Sequence, residues 1–494
     1  MIIKSITNFA GVLGALQNHV EHTWGRLPSA DLSRVLNSFI TNHLGRLTAC
    51  RTFLIESPYV DKVYRDSYYH YYASKHTSYN KNSIRISLFK NVLAEDDFYG
   101  TDAEEKLNSS YLGFIVLRPT FPQLLGRSTI HPHAIDKSML TCTAKVSATA
   151  GGIKVSAIGF PHSSQDSESI SCAETTLWSL FEYYSSKYQD YSPILPSDII
   201  RVLAKSSNVR QLPSAGLDIL KMAFAIKEFG FAPMLYGETA FEQDFYRLIS
   251  TYIESGIPLV AGLLSKDRSI GHAVLIIGRK EFSNEQIAAL TSSSDYTTDT
   301  FIHYDYHDLK ANFIFQDDNL PCYAEAPLDN PCINYHQQEW HSVRITHIIA
   351  PLYKKMYLEA EVAKFYFYEL TFKTLGVQTK YKEVLTRFYM ASSRSYKHYL
   401  LTESGIDKEL ADVLVRIEMP KFIWIGELTS KQLLSNKKAN GLVVLDATEA
   451  NRGATPLLFA MLKDEALLKI NGDDITRISI DLPPFNLFTN NLKV

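Results

Sequence analysis

Past residue 165 a polar loop gives way to apolar positions three and four apart: Ala173, Leu177, Leu180, Phe181 and Tyr184. That spacing predicts a helix burying one face. Ser171 and Glu174 stand three apart at its start, the pattern of a capping box. Ser171 is therefore the expected N-cap and Cys172 the first helical residue. Two apolar runs follow, 256–264 and 272–278, joined by the polar loop 265–271. They read as adjacent buried antiparallel strands, and His272 opens the second. A third run, 312–321, reads as a strand that stops at Asp317, Asp318 and a turn.

The flanks have their own patterns. The opening stretch to about Leu54 reads mostly helical, with Leu36, Phe39, Ile40, Leu44 and Leu47 near helical spacing. Residues 56–69 are dense in charge and tyrosine, and read as a packed loop with local Arg–Asp pairs rather than a lip over a site. Residues 111–118 form a strand ended by Pro119. Residues 140–148 and 153–160 flank a Gly151-Gly152 turn and read as a hairpin. Helices are expected at 196–203, 217–229, 241–255, 355–375 and 407–418, and strands at 422–428 and 441–446. The predicted class is α+β in three regions: 1–159, helical then β; 160–335; and 336–494, an α/β unit with no chemical motif.

Candidate chemistry concentrates in the middle region. A helix N-terminus carries unpaired N–H groups and partial positive charge. A cysteine there, as Cys172 is, favours the thiolate, which is the nucleophile. His272, at the mouth of the 265–271 loop, would take the thiol proton and return it to a leaving group. Asp317, at the end of the next strand, would hold the imidazole tautomer, with Asp318 as the alternative acid. Gln165 lies seven residues before Cys172. Its amide would donate to an oxyanion beside the Cys172 N–H.

These pieces resemble the papain-like cysteine peptidases, most closely their C39-like branch. That branch has a Gln shortly before a Cys that starts a helix, a His-Ala-Val opening a strand with a Gly soon after, and an Asp ending the next strand. The matching residues are Gln165, Cys172, His272-Ala273-Val274 with Gly278, and Asp317, over roughly residues 160–325. The chain departs from the pattern at Ala173, where the family has Gly, in a Gln-to-Cys spacing one residue longer, and at Asp317-Asp318, where the family has Asp-Pro. The resemblance implies a papain-like central domain with a helix packed on an antiparallel sheet. It also implies a cysteine peptidase cleaving a peptide or isopeptide bond through a thioester, with no metal or organic cofactor. The branch's bacteriocin-processing members are fused to membrane transporters, and their double-glycine leader substrate is not carried over. Two other uses of the same residues stay open: acyl transfer, as in transglutaminase-like or arylamine acetyltransferase-like proteins, and an adaptor without turnover.

Composition narrows the setting. A chain of 494 residues should make two to four domains, and 46% hydrophobic with 21% charged residues is an ordinary globular mix. A net charge of −3 gives no argument for a nucleic-acid partner or an anionic membrane. Five scattered cysteines suit a reducing cytoplasm, which is the expected location, rather than a disulfide framework. The first residues lack the apolar core of a signal peptide, and no run approaches the length of a membrane span. The resemblance above implies a protein or peptide substrate as the partner. His303, Asp305 and His307 alternate along what reads as a solvent-facing strand, and Cys332, His336, His341 and His347 match no common zinc spacing.

Overall fold

The computed structural model describes residues 2–4, 9–25, 29–121, 123–166, 168–206, 211–214, 216–449, 455–471 and 474–492. Over these residues the chain is α+β, with three seven-stranded sheets whose pairs are nearly all antiparallel.

The central sheet runs in the order Ala324–Ala326, Phe313–Gln316, Gly271–Lys280, Leu259–Leu264, Arg344–Tyr353, Phe231–Gly237, and Met139–Thr141 also pairs with Gly271–Lys280. Its middle strands are apolar on both faces because both faces are covered. Leu263 stands opposite His272, and Gln316 opposite Leu275. The second register sends the chain beyond Gln316 back toward His272.

The helix Cys172–Lys187 packs on the strand Gly271–Lys280. The expectation of one buried face is corrected here: every residue from Ala173 to Tyr184 is buried. The hairpin formed by Ala144–Ala150 and Ile153–His162 also packs on this helix, and Phe160 stacks on Tyr183 with centroids 4.8 Å apart. The hairpin also continues the N-terminal sheet through Ile130, opposite Phe160.

The opening helices are Phe9–Trp24 and Ser29–Phe39, continued by a π-helical turn, Ile40–Leu44. They end sooner than expected, because Thr52–Tyr59 is a strand whose β-branched and aromatic residues favour extension. Nor is 56–69 a loop: helix Lys62–His70 fills most of it, capped by the Asp61 carboxylate, which accepts from the N–H groups of Val63 and Tyr64 at 3.1 and 3.0 Å.

The C-terminal sheet holds Ile302–Asp305, Glu383–Ser392, Phe422–Thr429, Gly441–Asp446, Leu457–Met461, Glu465–Asn471 and Asp474–Ser479 in that order. Only the first pair is parallel. The expected α/β character is thus corrected to α+β. The expected boundaries also move. The 159/160 cut falls inside strand Ile153–His162. Arg344–Tyr353, beyond 335, sits inside the central sheet, and Ile302–Asp305, before 335, belongs to the C-terminal sheet. Strand pairing ignores sequence position, because a buried backbone N–H or C=O needs whichever partner lies alongside.

A buried ionic network ties the last two sheets together. Glu254 pairs with Arg279 and, at 3.0 Å, with Arg387, which also reaches Glu427 at 2.7 Å. Burial works against the Glu254 charge, but the two guanidinium groups win and hold its pKa at about 2. No helix among the described residues is long and apolar enough to cross a membrane.

Candidate active site

The site is built on one helix end and two strand ends. Cys172 opens its helix behind Ser171. The Glu174 carboxylate accepts from the Ser171 N–H at 3.1 Å and from the Ser171 hydroxyl. Its other oxygen accepts from the Ser214 hydroxyl at 2.7 Å. The preceding loop is wound about Asp166, whose carboxylate accepts from the N–H groups of Glu168, Ser169 and Ile170 at 3.0, 2.7 and 3.0 Å. Cys172 is half-buried.

His272 is 7% exposed at the start of its strand. Its Nε2 lies 2.9 Å from Asp317 Oδ1, so Nε2–H donates to the carboxylate. Nδ1 is the ring nitrogen that Asp317 leaves free, and the Cys172 side chain lies close enough to the ring to favour its cationic form. Burial disfavours the imidazolium, but the Asp317 charge, its hydrogen bond and the Cys172 contact outweigh burial and raise the ring's pKa well above the ordinary value. Burial likewise disfavours the Asp317 carboxylate, yet His272, the Asn319 N–H and Tyr335 hold its pKa below the ordinary value.

Of the residues singled out in the sequence, the structure brings Cys172, His272 and Asp317 together. Asp318 is also close: its Oδ1 lies 3.6 Å from His272 Nε2. It is not hydrogen-bonded to the ring, and neither of its buried carboxylate oxygens makes a well-formed hydrogen bond, although the main-chain N–H groups of Asp318 and Gln165 lean toward it. Burial, helped by Asp317 and opposed by His272, pushes the Asp318 pKa up to about 7. Gln165 stands at the edge of this cluster. Its side-chain amide donates to Asn319 Oδ1 at 2.7 Å, which spends one of the two Nε2 hydrogens.

Four supporting residues carried no signal in the local sequence. Asn319 donates through Nδ2 to the Tyr335 hydroxyl at 3.2 Å, and Tyr335 donates to Asp317 Oδ2 at 2.8 Å. A hydrogen-bonded chain therefore runs from Gln165 through Asn319 and Tyr335 to Asp317 and His272. Trp340 stands edge-on to His272, with centroids 5.5 Å apart at 90°, and stacks on Tyr335 at 4.0 Å. Thr176 donates to the Ala273 carbonyl at 3.0 Å, which docks the first turn of the helix beside His272. Asn319 directly follows the two acids singled out in the sequence, whereas Tyr335 and, in the short 3-10 helix Gln338–Ser342, Trp340 come from a stretch with no periodic pattern.

The His303–His307 stretch is corrected on burial. His303, Asp305 and His307 are buried rather than solvent-facing. His303 bonds the Asp295 carbonyl and Thr386, Asp305 pairs with Lys364, and His307 bonds Ser250 and the Phe388 carbonyl. These are satisfied core residues. Among the described residues, the group whose ligand atoms converge as metal ligands do is His272, Asp317 and Asp318.

The chain matches no protein-family model and no curated protein.

Proposed function

We propose that this chain is a cysteine-dependent hydrolase with a papain-like, C39-like central domain, cleaving a peptide or isopeptide bond in a protein or peptide substrate. The observation that carries the reading is a buried ring held by Asp317 at 2.9 Å, with the cysteine that opens the neighbouring helix close enough to favour its cation. The acidic partner favours the cationic form of the ring, which is the form it takes on accepting the thiol proton. A helix end carrying the cysteine, packed on an antiparallel sheet carrying the histidine, supports the architecture.

In this scheme Cys172 Sγ bonds to the substrate carbonyl carbon while its proton passes to His272 Nδ1. The oxyanion sits near the Cys172 N–H, which has no partner one turn back in its helix, and near the second Nε2 hydrogen of Gln165. The C–N bond breaks as His272 protonates the leaving amine, leaving a thioester. Water, deprotonated by His272, then attacks, releases the acid and restores the thiol. Asp317, itself held by Tyr335, keeps the ring in one tautomer throughout. Thiol chemistry of this kind needs neither a metal nor an organic cofactor.

Covalent labelling tests the proposal. Burial pushes the thiols of Cys50, Cys142 and Cys322 up to about 11 and that of Cys332 to about 12, so these four should compete poorly for an electrophile at neutral pH. A chloroacetamide or vinyl-sulfone peptide probe should label Cys172, fail in Cys172→Ala and react more slowly in His272→Ala. A folded wild type that resists labelling, or a His272→Ala variant that labels as fast as wild type, would refute it.

A further inference from the structure

Asp318 is the residue of the site that the thiol chemistry leaves unused. Asp318 is 5% exposed, beside a second buried carboxylate, and neither of its oxygens makes a well-formed hydrogen bond, although the main-chain N–H groups of Asp318 and Gln165 lean toward it. Burying a carboxyl group without well-formed hydrogen bonds is costly, and a ligand that supplied them would relieve that cost. A cavity of about 310 Å³ reaches Asp318 and is lined also by Phe39, His43, Ser164 and Asn319.

We propose that His272 Nε2, Asp317 and Asp318 form a binding site for a divalent cation of the zinc class, and that the bound ion switches the thiol off. Three ligands at roughly 2.0–2.1 Å from one tetrahedral ion stand about 3.3 Å from one another. Here Nε2 is 2.9 Å from Asp317 Oδ1 and 3.6 Å from Asp318 Oδ1, on either side of that value, and the three ligand atoms all lie within 4.8 Å of one another. One imidazole with two carboxylates suits zinc or a neighbouring transition metal rather than calcium, which asks for six to eight oxygens.

Charge supports the same assignment. Two ionised carboxylates balance a divalent ion with the ring neutral. The ring must give up its Nε2 proton to bind, and Asp318 must be ionised. The ion then replaces the Asp317 hydrogen bond, and Nε2 can no longer carry the proton that makes the ring an imidazolium. His272 loses its use as a base toward Cys172. The loss of thiol reactivity rests on the proposed function, whereas the binding does not.

The two are separable by experiment. Zinc chloride is titrated by calorimetry into the full chain carrying Cys172→Ala, after chelator treatment, so that sulfur neither binds the ion nor reacts. The expected result is one saturable site with proton release, weakened at least about tenfold when Asp318→Asn is added. A circular-dichroism melt checks that the double variant is folded. Equal zinc affinity with and without Asp318→Asn, or no saturable site, overturns the proposal whatever the thiol does. In the wild-type chain, zinc should slow chloroacetamide labelling of Cys172, and Asp318→Asn should remove that slowing. Zinc bound at the site with unchanged labelling overturns the switch.

Discussion

The Thr176 hydroxyl donates to the main-chain carbonyl of Ala273 at 3.0 Å, joining the first turn of the cysteine helix to the residue beside His272. Cys172 and His272 are a hundred residues apart in sequence, and this bond fixes the helix end against the strand. Thr176→Val keeps the shape and removes the donor. It should cost about 1 kcal/mol in urea unfolding and slow the labelling of Cys172 severalfold. Unchanged labelling with lowered stability would restrict the bond to a structural role.

Asp317→Asn should leave the fold intact and slow turnover or labelling by about 10²–10⁴-fold, since an amide no longer selects the Nε2–H tautomer of His272. Initial rates across several probe concentrations separate this from weaker binding.

Tyr335→Phe removes the hydroxyl that donates to Asp317 Oδ2 at 2.8 Å. A single hydrogen bond to a charged group is worth about 1.5–3 kcal/mol, so the labelling rate should fall about 10–100-fold, less than for Asp317→Asn. In the Asp317→Asn background, Tyr335→Phe should add little, because its effect passes through that carboxylate.

Glu254→Ala strips the carboxylate from Arg279 and leaves Arg387 with Glu427 alone, at the junction of two sheets. Uncompensated buried charges make this the most damaging of these changes, at about 3–5 kcal/mol in chemical denaturation. The intact pair depends on pH with a definite sign. Because the Glu254 pKa is depressed to about 2, its contribution is complete above the ordinary glutamate range and is lost as pH falls toward 2.

A second acid-sensitive feature is His307, wedged between Ser250 and the Phe388 carbonyl. Burial depresses its pKa to about 4, outweighing the attraction of Asp305 and Glu254 and reinforced by Lys364. Above pH 6.5 the ring is neutral folded or unfolded. Between about 6.5 and 4 the unfolded ring takes a proton that the folded one refuses, so stability should fall with acid across that window. The thermal midpoint should follow this slope, and His307→Gln should flatten part of it.

Much of the local structure was legible in the sequence. The capping pair Ser171 and Glu174 placed the helix start at Cys172, and the apolar runs placed the strands of His272 and before Asp317, because caps and side-chain periodicity act within a few residues. The opening helices were drawn too long into Thr52–Tyr59, where strand propensity and pairing with Ser83–Phe89 prevail over the helical spacing upstream. The solvent-facing reading of His303 failed for a similar reason: alternation in a strand says which residues share a face, not which face meets water.

By itself the sequence determined the α+β class, the cysteine at a helix start, the histidine at a strand start and the pair of acids at a strand end. Only the tertiary structure decided that Asp317 hydrogen-bonds His272 while Asp318 does not, that Gln165 donates to Asn319, and that Tyr335 and Trp340 back the ring. Caps and hydrophobic period are written in neighbouring residues, whereas the choice between two adjacent carboxylates turns on an ångström of separation. That separation is set by how three sheets and a buried helix pack.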